Sequence, residues 1–229
     1  MKDLAVVLIT CDKYSFLWDT WYHNFSKYWI IDCPVYFLTE TRRVDYPGVT
    51  QIWYNEPDVN KWTKRVKKCI KQIPENDLFV ILDDHIFRKE IDRIFMGVYS
   101  LFKELEADAI RINRVEDRVD AIDTDYFIED LQVHKLKRQS MYIISYTPNL
   151  WKKSFLLKCL MGNNDPWQSE LLGYRFRLMG SRRLQLSCKV YGILYKDWFV
   201  GITHRGNVIN GWKKKGKIYE EVTSSVNKS

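Results

Sequence analysis

Leu78-Phe79-Val80-Ile81-Leu82-Asp83-Asp84-His85-Ile86-Phe87 is an apolar run of five residues that ends abruptly in two carboxylates and an imidazole. Its apolar residues do not alternate with polar ones, so the strand they form must be covered on both faces, as in a parallel sheet packed between helices. In open sheets of that kind ligands sit beyond the carboxyl ends of the strands. Asp83 and His85 are two residues apart, which on an extended chain puts them on the same side, where they can share a cation. The alternative is that Asp83 and Asp84 simply cap a following helix.

The same grammar recurs on either side. Leu4 to Ile9 is a second buried-strand run, Thr10-Cys11-Asp12-Lys13-Tyr14 is the loop at its carboxyl end, and Leu17, Trp18, Trp21, Tyr22, Phe25, Tyr28 and Trp29 recur at helical spacing. Val35 to Leu38 and Thr50 to Trp53 read as further strands, the second after a Pro47-Gly48 turn. A helix is expected from about Asn60 to Ile73. Lys61, Lys64, Arg65, Lys67, Lys68 and Lys71 make its polar side basic without one acid, most of it a solvated face. At about 100° per residue Arg65 lies nearest the apolar stripe and is the one of the six placed to turn inward. After the central stretch come a helix through Ile91 to Leu105 and a strand at Ala109 to Ile112. Residues 113 to 140 are polar and read as an irregular loop or flap on the acceptor side. Met141 to Tyr146 reads as a strand, and Pro148, Asn149 and Trp151 lead into a short helix containing Phe155, Leu156, Cys159 and Leu160. Alternating strands and helices give an α/β fold with a mostly parallel central sheet flanked by helices, and a smaller β-rich portion in the second half.

Gly162 to Glu170 carries a helix start: Asp165 suits the N-cap, Pro166 the first helical position, and Gln168 the third, as in a capping box. Glu170 then projects just past the first turn beside Trp167, a ring suited to packing on a sugar. It is the candidate general base for transfer of a glycosyl group to a hydroxyl, against the plainer role of an acid that favours the helix dipole. Asp123, Asp125 and Glu129 are the alternatives for that role. For a divalent cation bound to phosphates, Asp83 and His85 are two candidate ligands and His204, beside Gly206, a third; Mn²⁺ accepts this mixed set better than Mg²⁺ or Ca²⁺. The sequence has no dinucleotide-binding glycine motif, P-loop, nucleophile elbow or zincin helix, which weighs against those enzyme classes.

Composition sets the outer bounds. With 229 residues, 46% of them hydrophobic, the chain suits one domain with a real core. Nine Trp, fourteen Tyr and eleven Phe exceed ordinary packing needs, which points to rings lining a sugar or base site. Five scattered cysteines without C-x-x-C spacing favour a reducing, cytoplasmic setting, and no stretch is long and apolar enough for a membrane span. Residues 1–60 hold five Lys/Arg against eight Asp/Glu, a net of −3, so the overall +7 leaves +10 for residues 61–229. That asymmetry suits an anionic ligand or surface.

Thr10-Cys11-Asp12-Lys13-Tyr14 with Leu17-Trp18, then Trp62 and Arg65, Leu82 to His85, Asn149 to Lys153, and Asn164 to Glu170 resemble, in that order, small GT-A type glycosyltransferases of bacterial surface-polysaccharide clusters and large DNA viruses. The resemblance spans roughly residues 4 to 212. It implies one domain over 1–229, with a nucleotide-sugar-binding half (1–112), an acceptor half (113–212) and a basic, partly disordered tail (213–229). It implies a nucleotide-diphosphate sugar donor, first of all a UDP-sugar, contacted by Thr10, Asp12, Tyr14, Trp62, Arg65, Asp83 and Asp84. It implies Mn²⁺ or Mg²⁺ on Asp83 and His85, with His204, and a glycan or lipid-linked glycan acceptor against Trp151 and Trp167. Glu170 matches the acid that serves as base, with inversion. The sequence departs from the family at His85, where an Asp is usual. Two other readings of the basic half remain: a non-catalytic nucleic-acid-binding domain, although no recognised motif for a specific nucleic acid is present, and peripheral contact with the inner face of a membrane.

Overall fold

The computed structural model describes residues 2–56, 58–112, 121–137, 140, 143–171, 189–193, 199–201, 203–204 and 207–208, the last three segments by their backbone. The two apolar runs become neighbouring strands, β1 (Leu4–Ile9) and β4 (Asp77–Leu82), paired in parallel from Leu4 opposite Asp77 to Ile9 opposite Leu82. Thr10 and Asp83 therefore leave the sheet side by side. Beyond β1 lie β2 (Val35–Thr39) and β3 (Val49–Trp53), both parallel to it. On the other side of β4 come β9 (Asn149–Lys152), β6 (Ala109–Arg111), β10 (Val190–Ile193), β8 (Leu131–Leu136) and β7 (Ala121–Ile128), which complete a nine-stranded sheet. Within it β9 and β8 run against the others. Two small pairings stand apart: β5 (His85–Phe87) with β11 (Phe199–Gly201), and β12 (Thr203–His204) with β13 (Asn207–Val208).

The period of two along the central strands sorts the core into two layers. Leu4, Val6, Leu8, Phe79 and Ile81 face α1 (Trp18–Tyr28) and α3 (Asp92–Glu104). Ala5, Val7, Ile9, Leu78 and Val80 face α2 (Trp62–Ile70) and α4 (Lys153–Cys159). Much of the aromatic surplus is spent here rather than on a ligand: Trp29 stacks on Phe79 with centroids 5.3 Å apart, Phe95 meets Trp29 edge-on at 4.8 Å, and Trp21 stacks on Phe25 at 5.0 Å. Such pairs add about 0.5–1.5 kcal/mol each beyond their burial.

Two expectations fail in the second half. The stretch read as an irregular loop holds a long hairpin, β7 and β8, joined at Glu129, whose φ of 52° makes the tight turn. Its strands hide from pattern reading because a register shift between Asp123 and Phe127 interrupts the alternation, and Ile122, Tyr126 and Phe127 are exposed. Residues 143–146 are not a strand; the strand is Asn149–Lys152, four residues inserted between β4 and β6. Four residues are too few to show a period, and their strand state comes from neighbours on both sides. The helix expected over Asn60 to Ile73 is a 3-10 turn, Val59–Lys61, followed by α2. No helix among the described residues is long and apolar enough to cross a membrane.

Candidate functional site at the carboxyl edge of the sheet

Strands β1, β2, β3, β4 and β6 all deliver polar residues to one edge, and β9, running the other way, begins there. Asp83 is 5% exposed and accepts a hydrogen bond from the Thr10 hydroxyl, which in turn accepts one from Trp18 Nε1 at 2.6 Å. The Thr10 carbonyl accepts from the Tyr54 hydroxyl. A carboxylate so enclosed is costly to ionise: burial, and then Asp84 beside it, push Asp83 up to about 8, against the pull of Thr10 and of backbone N–H groups at Cys11 and Asp83 itself. Thr10 thus fixes the orientation of Asp83, and Trp18 fixes Thr10. Trp18→Phe keeps the packing but removes the last donor of this relay; we expect it to lower stability by about 1 kcal/mol in denaturant unfolding.

Asp12 does not present a free carboxylate. Its two oxygens accept from the Thr41 hydroxyl, from Thr41 N–H at 3.3 Å and from Arg42 N–H at 3.2 Å, so that it ties the loop after β1 to the loop after β2. Burial opposes its charge, but these bonds outweigh it and hold the carboxyl below its usual range. The Asp12 N–H donates to Glu40 Oε2 at 2.8 Å, and Glu40 Oε1 meets Arg65 Nη1 at 2.9 Å. Arg65 is 4% exposed, donates also to the Glu56 carbonyl at 2.6 Å and lies over the Tyr54 ring. It has turned inward, as its helix angle requires, and braces the loops after β2 and β3 directly and the loop after β1 through Glu40. Trp62 is buried against the edge of Tyr146, centroids 4.7 Å apart, and supports the site from below rather than offering a ring face to a ligand. Tyr14 is half-buried beside Asp83 and Asp84; burial and then Asp83 push its phenol up to about 12.

Asp84 Oδ1 and His85 Nδ1 are 2.8 Å apart, so Asp84 orients the imidazole and leaves Nε2 as its free-facing nitrogen. His85 also opens β5, where its register partner is Gly201 of β11. His204 follows three residues later in β12; its backbone is therefore near this strand end, while its side chain lies outside the described residues. Among the described residues no three His, Cys, Asp or Glu side chains are grouped to hold a metal ion. By donor type alone Asp83 and His85 could supply part of a divalent cation's shell, a carboxylate and an imidazole of the kinds Mn²⁺ accepts.

Glu170 reaches the same edge from the other half. Gln168 N–H donates to Asp165 Oδ1 at 2.7 Å and Asp165 N–H to Gln168 Oε1 at 3.2 Å, a reciprocal capping box that starts the helix at Pro166. Glu170 Oε1 accepts the Tyr146 N–H at 2.8 Å, and the Ser145 side chain favours the ionised carboxylate. Burial raises the Glu170 carboxyl above its usual range, opposed by these bonds and by the nearby charges of Arg111 and His85. His85, one of the cation candidates, is thus near enough to the base candidate for its charge to favour the ionised carboxylate. Arg111, 8% exposed at the end of β6, was not singled out in the sequence, nor was Glu40 at the end of β2; both stand where Asp83 does, just at or past a strand's carboxyl end. Trp167 is 49% exposed on the rim. Trp151, expected to face an acceptor, is 0% exposed, sandwiched in the core between Tyr146 and Phe155, and has no face to offer.

No protein-family model matches the chain, and no curated protein matches it in sequence. Solved structures do resemble it. S. aureus TarS 1–349 in complex with UDP-GlcNAc matches with a TM-score of 0.56 and 10% identity over 99% of this chain and 65% of that one. The same protein in complex with UDP matches at 0.51 and 13% identity over 87% and 60%. The chain therefore spans less than two thirds of the TarS structures it matches. What it shares with them is the fold, a mixed α/β unit of GT-A type built on a large, mostly parallel central sheet flanked by helices.

Proposed function

We propose that the chain is a nucleotide-sugar glycosyltransferase that moves a sugar from a nucleotide-diphosphate sugar, first of all a UDP-sugar, to a hydroxyl of a glycan or lipid-linked glycan acceptor, with inversion. The observation that carries it is that Asp83, clamped by Thr10, and Glu170, seated on Tyr146, stand at the same sheet edge, where β4 ends and the chain enters β9. The fold shared with TarS, crystallised with UDP and UDP-GlcNAc, supports the donor class.

In this reading Asp83 and His85, with His204, would hold a divalent cation, Mn²⁺ or Mg²⁺, that neutralises the diphosphate, the rest of its shell coming from phosphate oxygens and water. Glu170, whose proton affinity burial raises, takes the proton of the acceptor hydroxyl as that oxygen attacks the sugar carbon and the bond from that carbon to the diphosphate breaks. Tyr146 N–H and Ser145 keep the carboxylate from swinging away. Trp167 offers a ring to the acceptor at the rim. Asp12, Arg42, Glu40 and Arg65 shape the nucleotide end by holding their loops.

A thermal-shift panel of nucleotide sugars with and without Mn²⁺ tests the donor. A ligand at 100 times its Kd adds about 2.7 kcal/mol of apparent stability, so one nucleotide-diphosphate sugar should raise Tm by several degrees, and more with Mn²⁺. A panel that stays flat at millimolar ligand would remove the proposal.

A further inference from the structure

The two helical layers differ in charge. On one face of the sheet α1 mixes Asp19 with Lys27, and α3 mixes Asp92 and Glu104 with Arg93 and Lys103. On the other, α2 and α4 contain Lys64, Arg65, Lys67, Lys68, Lys153 and Lys158 and no Asp or Glu. Arg65 is spent on Glu40. Lys67 and Lys153 cross the seam between the helices: Lys67 Nζ donates to the Leu160 carbonyl at 3.0 Å and Lys153 Nζ to the Ile73 carbonyl at 2.9 Å. Each ammonium thereby satisfies carbonyls at the other helix's end and locks the pair into one surface.

What remains points outward. Lys64, Lys68 and Lys71 follow one another at four and three residues and form a single exposed stripe, and Lys152 and Lys158 are exposed at the ends of α4. Among the described residues none of these five is ion-paired. The stripe runs to the rim that carries Trp167: Thr63, next to Lys64, accepts from Asn164 N–H at 3.0 Å and donates to the Gly162 carbonyl at 2.9 Å, and Trp167 is three residues on from Asn164.

We propose that this α2/α4 face is a docking surface for an anionic lipid membrane, with Trp167 as its interfacial ring. Every exposed cation in it is a lysine, a compact hydrated charge suited to a diffuse layer of headgroups. The arginine fork that selects individual phosphates, as in nucleic-acid grooves, is absent from it. The surface is the outer side of two packed helices rather than a groove, and a half-exposed indole beside lysines is the arrangement favoured at headgroup level. The inference does not depend on the transfer chemistry.

Co-sedimentation of the full chain with phosphatidylcholine vesicles, with and without phosphatidylglycerol, tests it. Binding should require phosphatidylglycerol, weaken as salt is raised, and fall about 5-fold per lysine removed, hence about 100-fold for Lys64→Gln/Lys68→Gln/Lys71→Gln. Lys2→Gln/Lys27→Gln/Arg88→Gln removes as much charge from elsewhere and should bind nearly as wild type. Binding indifferent to phosphatidylglycerol, equal loss in both variants, or tighter binding to duplex DNA than to vesicles through the same three lysines would each overturn the proposal. Circular dichroism of both variants guards the fold, and since all six positions are exposed it should be unchanged.

Discussion

Glu170→Gln should lower transfer by about 10²–10⁴-fold, the range for loss of a general base, while leaving donor affinity unchanged. Glutamine keeps an oxygen for the Tyr146 N–H and is nearly isosteric, so the helix start and its capping box persist. Stability moves the other way. Burial raises this carboxyl's pKa in the folded protein, so its contribution to stability is present below the unfolded value, about 4.3, and is lost as pH rises through the folded one. Removing the charge therefore should not lower Tm at neutral pH and should flatten its fall with rising pH. Single-turnover transfer and a melting series over pH separate the two effects. Unchanged turnover would pass the base role to another acid such as Asp123, Asp125 or Glu129.

Asp83→Asn should cost transfer about as much, and for a different reason. Asp83 is pushed up to about 8 by burial and by Asp84, so without a cation its ionisation opposes folding. The sign follows: stability carried by the neutral carboxyl is full below about 4 and disappears as pH climbs through about 8. In wild type, Mn²⁺ should raise Tm more at pH 8 than at pH 6, because the cation offsets the charge that burial penalises. In Asp83→Asn, which keeps an oxygen toward Thr10, the metal-free protein should be at least as stable as wild type at pH 8 and its Tm should no longer respond to Mn²⁺. A Mn²⁺ response that survives the substitution would take the cation away from Asp83.

The parts of this architecture that could be read in the sequence are those where local pattern and tertiary environment agree. Leu4–Ile9 and Leu78–Leu82 are unbroken apolar runs because both their faces are covered, and the polar residues after them mark the site edge. Asp165, Pro166 and Gln168 announce a helix start with short-range hydrogen bonds alone, and those bonds are present. Arg65 could be turned inward from helix geometry, but its partner Glu40 lies 25 residues away and no local rule pairs them. The same limit explains Asn149–Lys152, a strand only because β4 and β6 flank it, and Trp151, whose motif position says nothing of its burial. Glu40 and Arg111 were open to discovery by the rule that found Asp83, applied to every strand end instead of one.

The stitch between Thr63 and the loop before Glu170 bears on how the protein is made. Its bonds join residues 99 and 101 positions apart. During synthesis the loops around Asp12 and Asp83 emerge long before residues 162–170, and the sheet's first four strands are complete in sequence before β9 exists. Contacts of such separation are slow to close. The loop that Thr63 holds leads into the helix carrying Glu170, so on the function proposed above the base is placed after the residues that would hold a donor.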